Sequence, residues 1–383
     1  MKTAPLGDIA KIVSGATPKT GVAEYWDGEV QWATPADLSK LNGPYISETP
    51  RKLTAIGVRS CPTTVLPAGS VLLSSRAPIG HVAINTVPMA TNQGFKSLVP
   101  GPDLDAKYLY HWLKSKTAYL QSLGNGATFK ELSKKTTEQI AVPLPPLPEQ
   151  RRIAAILDHA DALRAKRRQV LAHLEALSES IFEDFFLQQP DGWARLSELA
   201  EKVVVGHVGP TSEFFRPTGV PFLRTGNVGH GEIVREGLAY VTTDFHQRLK
   251  KSQIRRGDVL ISRVITDEVR AAIAPEDLDG ANCANIIVVR PSDRLLPATV
   301  LGYLGRAETQ RRLVGRRVGS AQGVVNTSVL KELSTPTYSV ERQQHLTARV
   351  EEISAQRAAE RRAIDAEEEL FTSLRYRAFR GDL

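Results

Sequence analysis

The chain repeats itself, and the repeat limits what it can fold into. Laid over itself at an offset of 193 residues (336 − 143), the sequence runs without a gap from Gly126 on Gly319 to the last residue, with Pro190 on Leu383. Within that span Val142-Pro143 meets Thr335-Pro336, Ile140 meets Leu333, Gln150 meets Gln343, Leu157 meets Val350 and Phe186 meets Phe379. Two modules of similar length follow, each a globular part leading into one long helix.

The helix is clearest after Pro148. From there to Leu187 the chain has no Gly and no further Pro, is dense in Ala, Leu, Arg, Glu and Gln, and opens with Pro148-Glu149, which suits a first helical turn. At about 1.5 Å per residue, roughly forty residues make a rod of about 60 Å. Apolar residues recur three and four apart at Ile153, Ile156, Ala160, Leu163, Val170, Leu174, Leu177 and Ile181, a seam that needs a partner helix. The repeat supplies one, with Leu346, Val350, Ile353, Ile364, Leu370 and Leu374 on its own seam. The first helix delivers the chain to the second globular part and the second helix follows that part, so a pair formed within the chain runs antiparallel. Pairing with another chain is the alternative; tethering favours the internal pair.

The globular parts read as mainly β. In the first, Ser70–Ser74, His81–Asn85 and Ser97–Val99 are short apolar runs bounded by Gly, Pro and Asn, and one helix is expected from Asp105 to Leu123. The second answers with Arg256–Arg263 for Ala68–Arg76, Asn282 near the place of Asn92, and a helix from Pro297 to Val314. The fold expected is α+β, with two mainly-β α/β domains separated by a long antiparallel two-helix coiled coil and related by a pseudo-two-fold internal repeat. The domains expected are 1–142, helix 143–190, 191–337 and helix 338–383.

Little in the chain points to catalysis. There is no Gly-x-x-x-x-Gly-Lys-Ser/Thr, and Pro145-Pro146 is followed by Leu147 where amino-methyltransferases carry an aromatic residue. Asp103 with Asp105-Ala106-Lys107 is a poor nuclease motif and reads better as the acidic start of a helix. The eight histidines are scattered, and Cys61 and Cys283 fall in different modules, so no zinc site or disulfide framework is expected. No stretch reads as a leader or a bilayer span, so a cytoplasmic protein is expected. Lys and Arg outnumber Asp and Glu 49 to 42, a mild lean toward nucleic acid.

Val142-Pro143-Leu144-Pro145-Pro146-Leu147-Pro148-Glu149-Gln150 opening a long helix, a second such helix, and the ending Leu374-Arg375-Tyr376-Arg377-Ala378-Phe379-Arg380-Gly381-Asp382-Leu383 together resemble the specificity subunit of type I restriction-modification enzymes. Ser14-Gly15-Ala16-Thr17-Pro18, Trp32–Leu38 and Ser75-Arg76-Ala77-Pro78-Ile79-Gly80 resemble phrases of that family's target-recognition domains. The second copy departs at Pro336-Thr337-Tyr338-Ser339, where the proline-rich entry is missing. The resemblance implies a non-catalytic subunit whose two recognition domains each read half of a bipartite, asymmetric site in double-stranded DNA. It also implies that the helices set the gap and dock two modification subunits, and that motor/restriction subunits join for cleavage. S-adenosylmethionine, ATP and Mg would then belong to those partners, none to this chain, and no membrane is involved. A coiled-coil scaffold presenting two protein-binding heads is the alternative.

Base readout favours Arg, Lys, Asn or Gln on loops, and phosphate contact favours Lys and Arg beside Gly-rich backbone. The DNA-contact residues expected in the first module are Arg76, Asn92, Gln93, Lys96, Asn125, Thr128, Lys130 and Lys134. In the second they are Arg224, Asn227, Arg263, Arg316, Arg317 and Gln322. Arg76 and Arg263 are expected at matching strand ends, either on DNA or in a shared ion pair.

Overall fold

The computed structural model describes residues 2–76, 78–126, 130–265, 267–315 and 323–383. The chain is α+β and divides into two compact units, one of residues 1–168 with 362–383 and the other of residues 169–361.

The first unit is built on a five-stranded sheet in the order Ala10–Ser14, Lys96–Pro100, Val71–Leu73, Val82–Asn85, Tyr45–Ile46, antiparallel except for its last pair. A three-stranded sheet of Lys52–Leu53, Trp26–Ala33 and Met89–Thr91 adjoins it, the last two strands running parallel. The strands are short and their buried residues mostly aliphatic or aromatic, as a pleated surface packed against a core requires. Helix Ala106–Ser115 covers the larger sheet and buries Tyr108, Leu109, Trp112 and Leu113. It ends at Lys116, and Thr117–Ser122 is a second helix, so the single helix expected to Leu123 is two.

The second unit repeats the plan. One four-stranded sheet runs Ala200–Val205, Ile286–Pro291, Val259–Ser262, Ala271–Ile273, and the other runs Phe215–Arg216, Ala239–Val241, Val220–Leu223, Asn282–Cys283. Its covering helix is also broken, into Pro297–Gly305 and Ala307–Gly315, with extended backbone at Arg306 after Gly305.

Both long helices form, as Leu147–Leu187 and Val340–Ala378. In the first unit the start of one lies antiparallel to the end of the other: Arg152 donates to the Leu383 carbonyl at 2.9 Å, and further along Arg167 reaches Glu367 at 2.5 Å. Ile153, Ala154, Leu157, Phe371, Ala378 and Phe379 are buried there against the globular part. In the second unit Ile181, Phe185 and Phe186 pack with Leu346, Val350 and Ile353 in the same way.

The expected seam holds only near the globular parts. Ile153, Ile181, Leu346, Val350 and Ile353 are buried and Ile156, Leu174, Ile364 and Leu374 half-buried, but Leu163 (44% exposed), Val170, Leu177 and Leu370 (58%) face out. A strict seven-residue spacing drifts by about 20° per heptad on a straight helix, so 163, 170 and 177 rotate away from the partner. Charges replace them. Arg164 and Arg168 both pair with Glu368 in the first unit, and Arg357 and Arg361 both reach Glu175 (3.3 and 3.4 Å) in the second.

One staple recurs in both units and explains the glutamine in each helix opening. Gln150 is fully buried; its Oε1 accepts from the Asp105 N–H (2.9 Å), and its Nε2 donates to the Asp103 and Pro145 carbonyls (2.9 and 2.8 Å). Gln343 does the same with the Leu296 N–H (2.9 Å) and the Arg294 and Tyr338 carbonyls (3.0 and 2.9 Å). Asp105 and Leu296 are the N-caps of the covering helices, so each glutamine locks a long helix to the helix start beside it.

Candidate nucleic-acid interface

In the first module three of the expected contact residues, Arg76, Asn92 and Lys130, line one cleft of about 840 Å³. Its walls are the turn Thr34-Pro35-Ala36, Arg76, Pro78, Ile79, Asn92, Gly94, Gln121 and Lys130. Each wall has a local cause. Thr34 caps the short helix Pro35–Leu38, with Asp37 Oδ2 accepting from both its N–H and its hydroxyl at 2.7 Å. Gly94 lets that turn approach, since a Cβ there would lie 3.0 Å from Pro35 Cγ. Asn92 folds back so that its Oδ1 accepts from the Gly94 N–H (2.8 Å), which leaves Nδ2 without a partner among the described residues.

Behind Arg76 lies a small charge cluster. Glu131 receives Lys96 Nζ at 3.1 Å and Arg76 at 3.8 Å. The Lys96 side chain is 8% exposed and also donates to Ser75 Oγ (3.4 Å). A buried ammonium needs such a partner, so Lys96 is part of the scaffold and does not reach outward as expected. Glu131 went unnoticed in the sequence, where it is one acid among the lysines at 130, 134 and 135.

The other expected residues of this module do not line the cleft. Gln93 is exposed and accepts from the Thr17 hydroxyl. Asn125 is exposed, and its backbone pairs with that of Glu131 in both directions (3.0 and 2.9 Å). Lys134 pairs with Glu138 at 3.8 Å on helix Lys134–Glu138. Thr128 lies outside the described residues, as do Arg316, Arg317 and Gln322 of the second module.

The second module keeps the backbone of this site and changes its chemistry. Ser75 and Arg263 correspond, because each donates its N–H to the strand before Phe95 or Ile286 (Gly94 O, 2.7 Å; Asn285 O, 3.2 Å) and accepts from Leu132 or Val325 (2.9 and 3.0 Å). Arg76 therefore corresponds to Val264, and both pair across to matching residues, Glu131 and Val324. The expected match of Arg76 with Arg263 is off by one residue, and in a strand one residue reverses the face. Likewise Asn92 and Ala284 correspond, donating to Ala33 O and Leu223 O at 3.0 and 2.9 Å, so Asn282 does not stand in for Asn92. Asn282 is buried on Ser252 and His246.

Asn227 is also structural. It is 2% exposed, accepts from the Arg224 N–H (2.9 Å) and donates to the Val234 and Glu236 carbonyls (2.9 and 3.3 Å), which commits its whole amide. Arg224 donates to the Gly237 carbonyl at 2.7 Å and lies 5.6 Å from the Phe215 ring. Arg263 is half-buried and has no side-chain partner among the described residues.

Asp105 accepts from the Lys107 and Tyr108 N–H groups (both 3.0 Å), the helix-start role expected of it. His111 is buried on Asp158 (2.7 Å) and is not a surface residue. Among the described residues no group of His, Cys, Asp and Glu could hold a metal ion, and no helix is long and apolar enough to cross a membrane. Burial pushes the Cys283 thiol up to about 12, which makes it a poor nucleophile.

A family model described as the type I restriction modification DNA specificity domain matches residues 1–176. The specificity subunit of the type I restriction enzyme MjaIX of Methanocaldococcus jannaschii is 34% identical over 250 residues, 59% of this chain and 58% of that protein. The MjaVIII specificity subunit of the same organism is 24% identical over 372 residues, 91% of this chain and 84% of the relative. The EcoR124I/EcoR124II specificity subunit of Escherichia coli is 28% identical over 165 residues, 41% of this chain and 40% of that protein. The chain thus spans less than two thirds of the length of two of these relatives. In fold it is similar to the crystal structure of the type I restriction-modification S subunit of M. genitalium, with a TM-score of 0.61 at 13% identity, covering 99% of this chain and 96% of that one. A chain from a type I system studied for complex assembly and conformational transition gives a TM-score of 0.58 at 18% identity, covering 100% of this chain and 98% of that one.

Proposed function

We propose that the chain is a specificity subunit of a type I restriction-modification system, the non-catalytic, DNA-reading subunit of such a complex, a reading supported by the family match over residues 1–176 and by its similarity to such subunits. Residues 1–142 and 191–337 act as two recognition domains, each reading one half of a bipartite asymmetric site in double-stranded DNA. The helices of 143–190 and 338–383 form an antiparallel coiled coil that sets the spacing and docks two modification subunits, to which motor/restriction subunits add cleavage. S-adenosylmethionine, ATP and Mg serve those partners, and the complex works in the cytoplasm.

One observation carries this reading. The two modules share a backbone register residue for residue around the cleft, yet the side chains there differ completely: Arg76, Lys96 and Glu131 in one, Val264, Ile287 and Val324 in the other. A common frame that carries different side chains lets the two modules meet two unlike half-sites through different contacts. A protein scaffold with two heads is not favoured by any comparable feature. The test is methylome sequencing of a host that carries the modification subunit with and without this chain. A split, non-palindromic methyladenine motif that depends on the chain supports the reading; assembly of the complex with no such motif removes it.

A further inference from the structure

The chemistry of the first-module cleft says which part of DNA it takes, given that the chain reads DNA as proposed above. Among the described residues its charged groups both donate, while Gln121 gives its Nε2 to the Ile79 carbonyl (3.2 Å) and Thr34 is tied to Asp37. Arg76 and Lys130 are cations, and Asn92 has turned its oxygen to the Gly94 N–H, so that only its amide hydrogens remain to offer. Adenine's major-groove edge needs a donor and an acceptor together from one amide, and Asn92 and Gln121 each already hold a backbone partner through one end of theirs. Phosphate oxygens and the guanine edge need donors only.

How firmly the donors are held decides between those two. Reading a base takes a side chain fixed in one geometry with two aligned contacts. Arg76 instead sits 3.8 Å from Glu131, with the two side chains 37% and 42% exposed, a loose and solvent-screened pair that an anion can displace. Lys130 is exposed and has no partner among the described residues. Glu131 would not be stranded when Arg76 leaves, because Lys96 stays on it at 3.1 Å. We propose that this cleft is a sequence-independent grip on one backbone phosphate of the first half-site, made by Arg76, Lys130 and the Asn92 amide, with Glu131 as the counter-charge that parks Arg76 when DNA is absent.

Among the described residues the grip is one-sided. At the corresponding places the second module has Val264 for Arg76, Ala284 for Asn92, Val324 for Glu131 and, at the same offset of 193, Gly323 for Lys130. Among the described residues, the cation Arg263 takes the position of buried Ser75, on the other face of the strand.

The experiment measures binding of the full chain to two short duplexes, one with the methylated motif and one with the same bases scrambled, across a range of salt concentrations. In R76Q/K130Q the slope of log K against log salt should fall by about 1, and in K130Q alone by a part of that, since each neutralised phosphate contributes about 0.9. The loss of affinity should be the same on both duplexes. Glu131→Gln should strengthen binding to both at low salt, whereas a carboxylate with only a structural role would weaken it when removed. An unchanged slope overturns the proposal, as does a loss confined to the motif duplex, which would make the cleft a reader of guanine. K130Q changes an exposed side chain, so misfolding cannot account for its result. A wild-type chain that binds neither duplex would refute the DNA-reading function itself, an outcome distinct from variants that bind as the wild type does.

Discussion

Replacing Gln150 by Leu tests whether the long helix is fastened to its globular part by the buried amide. The substitution keeps much of the side-chain volume but strands the Asp105 N–H and the Asp103 and Pro145 carbonyls, all partners of an amide with no solvent exposure. A buried polar group left unpaired costs about 1–3 kcal/mol, and the apolar leucine returns part of that. A net loss of about 3 kcal/mol is expected, near the top of the range for single substitutions. For a unit of this size about 2–4 °C of melting temperature goes with each kcal/mol, so the transition should drop by roughly 6–12 °C. Calorimetry with tryptophan fluorescence separates the units, because buried Trp112 reports on the first and Trp193 is the tryptophan of the second. Gln343→Leu should cost about as much, but in the second unit, since it makes the same three bonds. Losses below about 0.5 kcal/mol in both variants, the ordinary surface level, would refute the reasoning.

Further outcomes follow from other contacts. Asp258 (1% exposed) holds Arg290 through two bonds of 2.8 and 2.7 Å, so Asp258→Asn should destabilise the second unit by about 3–5 kcal/mol in urea titration, because it leaves a guanidinium mostly buried without its partner. Burial alone would raise the Asp158 pKa, but its hydrogen bonds to His111 and Lys107 outweigh that and hold the carboxyl below its ordinary value. A depressed carboxylate contributes its full stability above the ordinary carboxylate range and loses it as pH falls through the folded value. Asp158→Asn should therefore flatten the acid end of the first unit's stability profile, seen in urea titrations at neutral and at strongly acidic pH. Phe379→Ala and Phe186→Ala should each cost about 3–5 kcal/mol, the first in the unit where Phe379 meets Tyr108 and the second where Phe186 meets Tyr303, read by the same two-unit melts.

The repeat was legible where its offset is constant. From Gly126 onward 193 holds, and it aligned Gln150 with Gln343 and Phe186 with Phe379, pairs that make matching contacts. It could not say that the glutamines are staples, because a buried amide and an exposed one look alike in sequence. Before Gly126 the offset varies: Val71 corresponds to Val259, a shift of 188 (259 − 71), and Leu98 to Val289, a shift of 191 (289 − 98). Loops of unequal length cause this, and only the sheet register shows where the gaps fall, which is why Arg263 was matched to Arg76 rather than to Ser75. The helix seam failed in the middle for another reason. Periodicity counts apolar residues, while the partner there is met by Arg164 and Arg357 on the inner face, with Arg168 and Arg361 at its edge, and their placement depends on how the helix drifts from a strict heptad. Of the residues expected at the site, Arg76, Asn92 and Lys130 do share one cleft, whereas Lys96 and Asn227 proved to be buried supports.

The most direct measurement is a module exchange. Residues 1–142 are replaced by the corresponding segment of a relative that directs a different motif, and the methylome is sequenced with the modification subunit present. The account predicts that one half of the split motif changes to the donor's sequence while the other half and the gap between them stay as they were. A change in both halves, or in neither while the complex still methylates, would contradict it.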